Sequence, residues 1–199
     1  AWSEADVQYR KALAIAHEIG SPRGKSQCLL GLSKALLDIG EASEAQKCSA
    51  QALALDVQAT NYQSVLVLGI ILLHHGDLLT ARRAFGDAIT RCQAILDKTA
   101  NLYEPRYVLA VALVGPAICD PRWSDEGKRL DLLSPALAEY QRALELTSAP
   151  GVVGDALRDL TLIRAAGVKG LEPVFALLEG ALPDAQTNGP DDVVTLNKV

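Results

Sequence analysis

The stretch QSVLVLGIILLHHGDLLTARRAFGDAITRC (63–92) reads as two helices separated by a glycine turn. Its first half is almost wholly apolar and ends at Gly76, a residue suited to the left-handed position that closes a helix. In the second half, Ala81, Phe85 and Ala88 follow one another at spacings of four and three, so they share one helical face. Small residues let a neighbouring helix approach closely, and the aromatic ring fills the space beside it. The stretch therefore predicts a tightly packed pair of helices.

The second-helix pattern recurs along the chain, at intervals of about 36 to 40 residues over its first three occurrences. It is found in four segments: EADVQYRKALAIA (4–16), EAQKCSAQALALD (44–56), TARRAFGDAITRC (80–92) and PALAEYQRALELT (135–147). The position between the two alanines is filled by Tyr9, Ser49, Phe85 and Tyr140 in turn. QCLLGLSKALLDIGE (27–41) matches the first helix of the stretch at 63–77. We therefore expect repeated helix pairs, nine to ten helices in all, and no β-sheet.

Two parts of the chain depart from this pattern. The first helix of the fourth pair, about 102–117, contains Gly115-Pro116, which we expect to kink or end it. An insertion at 119–131 then delays the second helix, and its Trp123 is either a hydrophobic plug or an exposed contact residue. A weaker fifth unit at 152–182 keeps the order of helix, glycine turn and helix. Terminal repeats are often atypical because they cap the stack.

Composition excludes several classes of protein. The longest apolar run, SVLVLGIILL (64–73), is about half the length that a bilayer crossing requires. The net charge is −5 and no basic stripe occurs, so neither a membrane nor a nucleic acid is an expected partner. The four cysteines are too far apart for a C-x-x-C pair, which favours free thiols in a reducing cytoplasm. The chain begins with Ala1 and contains no Met, so we expect a segment of a longer protein.

Two short motifs suggest chemistry and are better explained by the repeats. GSPRGKS (20–26) resembles a phosphate-binding loop but has one residue too few between its glycines, and it follows a helix rather than a strand. We interpret it as the turn between two pairs. HHGD (74–77) invites a metal site, but adjacent helical residues point about 100° apart, so His74 and His75 do not easily share one ion. No catalytic arrangement emerges from the spacings, and we expect no enzyme, metal or cofactor.

Helix pairs of this kind resemble the tetratricopeptide repeat (TPR). Leu68-Gly69 stands where that family has Leu-Gly, and Gly76-Asp77 makes the turn. The resemblance covers 1–182, about four and a half repeats, and leaves 183–199 as a tail or linker. It implies an all-α, right-handed α-solenoid of antiparallel helix pairs whose first helices line a concave groove.

The resemblance also implies which residues bind a partner in the groove. They are Gln27, Leu30, Lys34, Leu37, Gln63, Leu66, Ile70, Leu73, His74, Leu157 and Arg164. Chaperone-binding TPR domains clamp a C-terminal carboxylate with polar residues, but Leu30 and Val67 stand at positions where that clamp needs polar groups. An apolar groove with polar edges remains, in which Leu66 and Leu73 are expected to be partly exposed. Alternatively, these leucines pack against another part of the parent protein.

Two functions are compatible with this pattern. The first is a non-enzymatic scaffold that binds a protein or peptide in the concave groove. The second is suggested by ALAIAHEIGSPRG (12–24), which is similar to repeats in bacterial multidomain signalling ATPases and transcription regulators. In those proteins a C-terminal TPR array senses an effector or partner and restrains the ATPase module, which implies a regulatory sensor domain.

Overall fold

The structure, a computed structural model, describes residues 4–58 and 60–182. Within these ranges the chain forms nine α-helices, one short 3₁₀-helix and no β-strand, which confirms the predicted all-α class. The helices are α1 (Glu4–Glu18), α2 (Pro22–Asp38), α3 (Ala42–Ala54), α4 (Asn61–His74), α5 (Leu78–Leu96), α6 (Tyr103–Ile118), α7 (Glu126–Leu146), α8 (Pro150–Ala165) and α9 (Glu172–Glu179). The predicted tail at 183–199 lies outside the described residues.

The turn between α4 and α5 forms as the sequence predicts. Gly76 has a φ of +74°, a conformation that other residues adopt only with strain. Its N–H donates to the Leu73 carbonyl at 2.9 Å, and the Asp77 N–H donates to the Leu72 carbonyl at 3.0 Å. The Asp77 carboxylate then accepts a hydrogen bond from the Thr80 N–H and caps α5. One short segment thus closes α4 and starts the next helix.

The GSPRGKS segment is the turn between α1 and α2, as predicted. The hydroxyl of Ser21 accepts a hydrogen bond from the Gly24 N–H at 3.1 Å, which caps the start of α2. Pro22 occupies the first turn, where a missing N–H costs nothing. The local sequence is therefore accounted for by helix capping.

The aromatic residues of the second helices pack onto glycines of neighbouring first helices. Phe85 on α5 is fully buried, and a Cβ built on Gly69 of α4 would lie 3.1 Å from its ring. Tyr9 on α1 covers Gly31 of α2 in the same way. Gly69 therefore lies at a close contact between the helices of its pair.

Serines take over this role in the second pair. Ser33 of α2 replaces the glycine, and its buried hydroxyl donates to the Ala45 carbonyl at 3.0 Å. Ser49 of α3 replaces the aromatic and donates to the Ser64 carbonyl of α4 at 3.3 Å. A hydrogen bond between helices thus substitutes for ring-on-glycine packing.

The fourth pair confirms one boundary and corrects another. Pro116 lies in the last turn of α6, which ends two residues later at Ile118, close to the predicted end at about 117. The second helix resumes at Glu126, so only part of the predicted insertion at 119–131 is a loop. Trp123 packs partly buried against the core and its carbonyl accepts a hydrogen bond from Arg129 Nε, which favours the interpretation as a plug.

Each helix from α1 to α6 packs against its successor, and α4 also contacts α2 and α6. The fifth unit forms the expected helix, glycine turn and helix. Its first helix, α8, does not follow the pattern in which each helix packs mainly against the next one in the chain. It contacts α2, α4 and α6 together, while α9 packs on α7 and α8. Every helix among the described residues is too short or too polar to traverse a lipid bilayer.

Candidate functional site

The faces of α2, α4 and α6 that contact α8 form a surface that we call the inner face. One side of α8 is apolar, because small and aliphatic residues recur at intervals of three and four. These buried residues are Val153, Ala156, Leu160 and Ile163. The chain therefore places an amphipathic helix of its own on the surface that was expected to receive a partner.

Charged and polar contacts hold α8 at a defined position. Lys34 Nζ on α2 lies 2.5 Å from the Asp159 carboxylate. One turn further along α2, Asp38 accepts a hydrogen bond from Arg158 at 2.7 Å. The ring nitrogen Nε2 of His74 lies 2.9 Å from the Leu162 carbonyl oxygen. Because such contacts require matching partners at fixed spacing, they set the register of α8 on the inner face.

Asp159 is the most unusual group at this surface. Its residue is only 5% exposed, and burial raises the pKa of its carboxyl group above the ordinary value, with the charge of Lys34 opposing the rise. Its Oδ1 atom is the one that lies 2.5 Å from Lys34 Nζ, so the buried carboxylate is held in an ion pair with α2.

A cavity of about 370 Å³ lies beside Asp159 and is lined mostly by the amino-terminal halves of α2, α4, α6 and α8. We call it the amino-terminal cavity. Its lining combines charged, polar and aliphatic side chains: Arg23, Gln27, Lys34, Gln63, Leu66, Tyr103, Glu104, Tyr107, Val108, Val111, Val152, Asp155, Ala156 and Asp159. A concave site with aliphatic walls and a few polar groups is the usual form of a small-ligand pocket.

Two tyrosines lie close to this cavity. Tyr107 on α6 lines it and donates its hydroxyl to the Thr147 carbonyl at 2.7 Å. The ring of Tyr140 on α7 lies 6.2 Å from that of Tyr107, and its fully buried hydroxyl makes no hydrogen bond to the described residues. Burial, reinforced by the negative charge of Asp159, raises the pKa of Tyr140 well above its ordinary value.

Of the predicted groove residues of α2 and α4, Lys34 and His74 contact α8 directly, and the expectation of an open apolar groove is wrong. Leu66 and Leu73 are 1% and 4% exposed, so they belong to the core. The remaining apolar members are also buried: Leu30, Leu37 and Ile70. The cause is tertiary, since α8 lies against the helices that carry them.

The polar members of the predicted set separate into two groups. Gln27, Gln63 and Lys34 line the amino-terminal cavity, whereas His74 is engaged with α8.

The residues predicted from the fifth unit lie on the covering helix, not on the surface that it covers. Leu157 is half-buried on α8. Arg164 points towards α9, where its guanidinium lies 4.4 Å from the centre of the Phe175 ring. Their assignment to the groove is therefore corrected, because α8 does not occupy the place of a further first helix.

Sequence reasoning missed Asp155 and Asp159 of α8 and Glu104 at the start of α6. A signal was present, since an acidic residue inside the apolar stripe of α8 interrupts the expected pattern. In the described part of the chain, no group of three or more His, Cys, Asp or Glu side chains is arranged to hold a metal ion.

Comparisons with protein-family models, with curated proteins and with solved structures found no match to this chain. The TPR resemblance therefore remains a prediction from the residues themselves.

Proposed function

We propose that this chain is a non-enzymatic protein-interaction module, a TPR-like right-handed α-solenoid whose inner face binds an amphipathic helix. The observation that supports the proposal is α8 itself, which rests across α2, α4 and α6. A partner helix with the same pattern would compete with α8 for this surface. Such binding uses an apolar stripe for affinity and charged pairs for register.

The connections of α8 are compatible with its release. It is preceded by a three-residue connection, Thr147 to Ala149, and followed by a segment that contains Gly167 and Gly170, both at a φ of +89°. Glycines in this conformation mark the positions where the chain turns sharply, and such positions absorb changes in backbone direction. Because Lys34 and Asp38 pair with Asp159 and Arg158 of α8, a partner helix that replaces α8 would need an acidic and a basic residue at the matching positions.

A labelled peptide of residues 149–166 tests the proposal when it is added to the intact chain. The native α8 competes at high effective concentration, so the wild-type chain should bind the peptide weakly. Leu160→Ala in the chain weakens the native α8 and should increase peptide binding, measured by fluorescence anisotropy. A scrambled peptide of the same composition is the control.

Charge reversal then tests the register. A peptide with Asp159→Lys should lose binding to the Leu160→Ala chain and regain it when the chain also carries Lys34→Glu. Hydrogen exchange of the wild-type chain gives an independent readout. If α8 can be released, the opening that exposes its amides should have a lower free energy than the opening that exposes those of α4. Equal protection of α8 and α4, together with no peptide binding, would contradict the proposal.

The amino-terminal cavity favours the second candidate, a regulatory sensor domain of a signalling ATPase or transcription regulator. A small effector in this cavity would contact α8 and the inner face at once, and would therefore alter how firmly α8 is held. The sequence that flanks the chain in its gene tests this candidate, because it requires a nucleotide-binding module there.

A further inference from the structure

One side of α1 is uncovered where the other second helices are covered. Each of α3, α5 and α7 packs against the first helix of its own pair, and α3 and α5 also pack against the first helix of the next pair. The main contact of α1 is with α2, which is the first helix of the next pair. Among the described residues, the place beside α1 that corresponds to its own first helix is therefore empty. We call the side of α1 that borders this place the open face.

The repeats identify the residues of the open face. Alignment of the paired alanines places Gln8 of α1 at the position of Ala84 in α5 and of Glu139 in α7. Ala84 is buried, and Glu139 accepts a hydrogen bond at 2.6 Å from Arg106 of α6, the first helix of its own pair. This position therefore points towards a first helix. Residues at spacings of three and four along α1 share the direction of Gln8: Ala5, Gln8, Ala12, Ile15 and Ile19.

The open face exposes aliphatic side chains to solvent. Ile15 is 58% exposed, and Ile19 at 71% is the most exposed large hydrophobic residue in the described part of the chain. Gln8 is also exposed, whereas its equivalents in α5 and α7 are buried. Neighbouring apolar residues that remain exposed on one helix face mark a surface that binds another protein element.

The open face is complementary in shape to a second copy of itself. When two α1 helices lie antiparallel about a two-fold axis, Ala12 of each copy can lie opposite Ile15 of the other. In the same register, Gln8 lies opposite Ile19. Each large aliphatic side chain then meets a small or a flexible one. The antiparallel direction is also the one that relates α4 to α5, which are joined by a short turn.

The charges beside the open face fit the same register. Lys11 and Glu18 are exposed, lie seven residues apart and border the same edge of the stripe. In the antiparallel arrangement, Lys11 of one copy approaches Glu18 of the other, and the two-fold axis repeats the pair. Flanking charge pairs of this kind set the choice of partner and the orientation of paired helices.

We propose that the open face of α1 is a dimerisation surface, on which α1 of a second copy docks antiparallel with Ile15 against Ala12 and Lys11 beside Glu18. A single helix face is smaller than a standard interface, which buries about 800 Å² per partner. The dimer is therefore weak and forms only at high protein concentration. Because the open face is separate from the inner face, dimerisation goes beyond the proposed function and does not require the release of α8.

Sedimentation equilibrium of the wild-type chain over a range of concentrations should show a reversible equilibrium between monomer and dimer. Ile15→Asp should raise the dissociation constant of the dimer at least about a hundredfold, because an aliphatic contact is lost and a charge is buried twice in each dimer. Leu130→Asp is the matched control, since Leu130 on α7 is also 58% exposed but lies outside the open face. It should leave the dissociation constant unchanged.

Charge reversal tests the antiparallel register. Lys11→Glu and Glu18→Lys each bring like charges together at both flanking pairs, so each variant should weaken its own dimer about tenfold. An equimolar mixture of the two variants should form a heterodimer with nearly the wild-type affinity, because both flanking pairs are then attractive. Added salt should remove most of the difference between each variant and the wild type. Both positions are exposed, so these variants test the dimer even where Ile15→Asp impairs folding.

Three results would overturn the inference. A wild-type chain that remains monomeric at every concentration would show that the open face does not bind a second copy. A dimer that Ile15→Asp leaves intact would form through another surface. A mixture of Lys11→Glu and Glu18→Lys that associates no better than either variant alone would show that the two α1 helices are not paired in this register.

Discussion

A single methyl group at Gly115 should disrupt the packing of the helix pairs. Gly115 is buried on α6, and a Cβ built there would lie 2.1 Å from Phe85 Cγ and 2.6 Å from Phe85 Cβ. Because the Phe85 Cβ atom is attached directly to the backbone of α5, rotation of the ring alone does not relieve this overlap. Gly115 also precedes Pro116, where a Cβ meets the proline ring in helical geometry.

Three Gly→Ala substitutions separate the free-energy cost of this overlap from the gain in helix propensity that alanine brings. Alanine favours a helix interior over glycine by about 1 kcal/mol, whereas overpacking costs roughly 1–3 kcal/mol. Gly86 on α5 has no atom within 4 Å of its ideal Cβ, so Gly86→Ala should stabilise the chain. Gly69→Ala, at 3.1 Å from the Phe85 ring, should be close to neutral, and Gly115→Ala should destabilise by roughly 2 kcal/mol.

Urea unfolding of the three variants gives the free energies directly. Phe85→Leu shortens the opposing side chain, so it should reduce the cost of Gly115→Ala in a double-mutant cycle. Gly115→Ala as stable as Gly86→Ala would refute the reasoning, since it would show that α5 and α6 do not approach each other at this point.

Three other predictions concern the buried groups. Leu66→Glu should destabilise the chain by roughly 3 kcal/mol or more, because it buries a charge with no partner; a melting temperature like that of the wild type would mean that the inner face is open in solution. The pKa of Asp159 is raised in the folded chain, so its contribution to stability is present at acidic pH and is lost as the pH rises through the folded pKa. The unfolding free energy of the wild type relative to Asp159→Asn should accordingly decrease from about pH 4 upward, and an increase would contradict the assignment. Burial raises the pKa of Cys92 to about 12, so a disulfide reagent should modify it more slowly than Cys28 in the native chain and at a similar rate in urea, as followed by mass spectrometry.

The sequence by itself determined the helices and the tight pairing of α4 with α5. The apolar first half of 63–92, the Gly76 turn and the spacing of Phe85 between two alanines predicted a tight pair, which the structure contains. These features are local, because capping, left-handed turns and one-sided periodicity depend on residues within a few turns of one another. The same holds for Ser21, whose capping role follows from its neighbours alone.

The surface against which α8 packs was decided only by the tertiary structure. Its apolar stripe shows that one side must be buried, but periodicity does not say against which surface. The choice depends on contacts such as Lys34 with Asp159 and Asp38 with Arg158, whose partners lie more than one hundred residues apart in the chain. The burial of Leu66 and the cavity beside Asp159 follow from that packing. Long-range pairing of this kind depends on the relative positions of whole helices in the fold, and no single segment of the sequence specifies those positions.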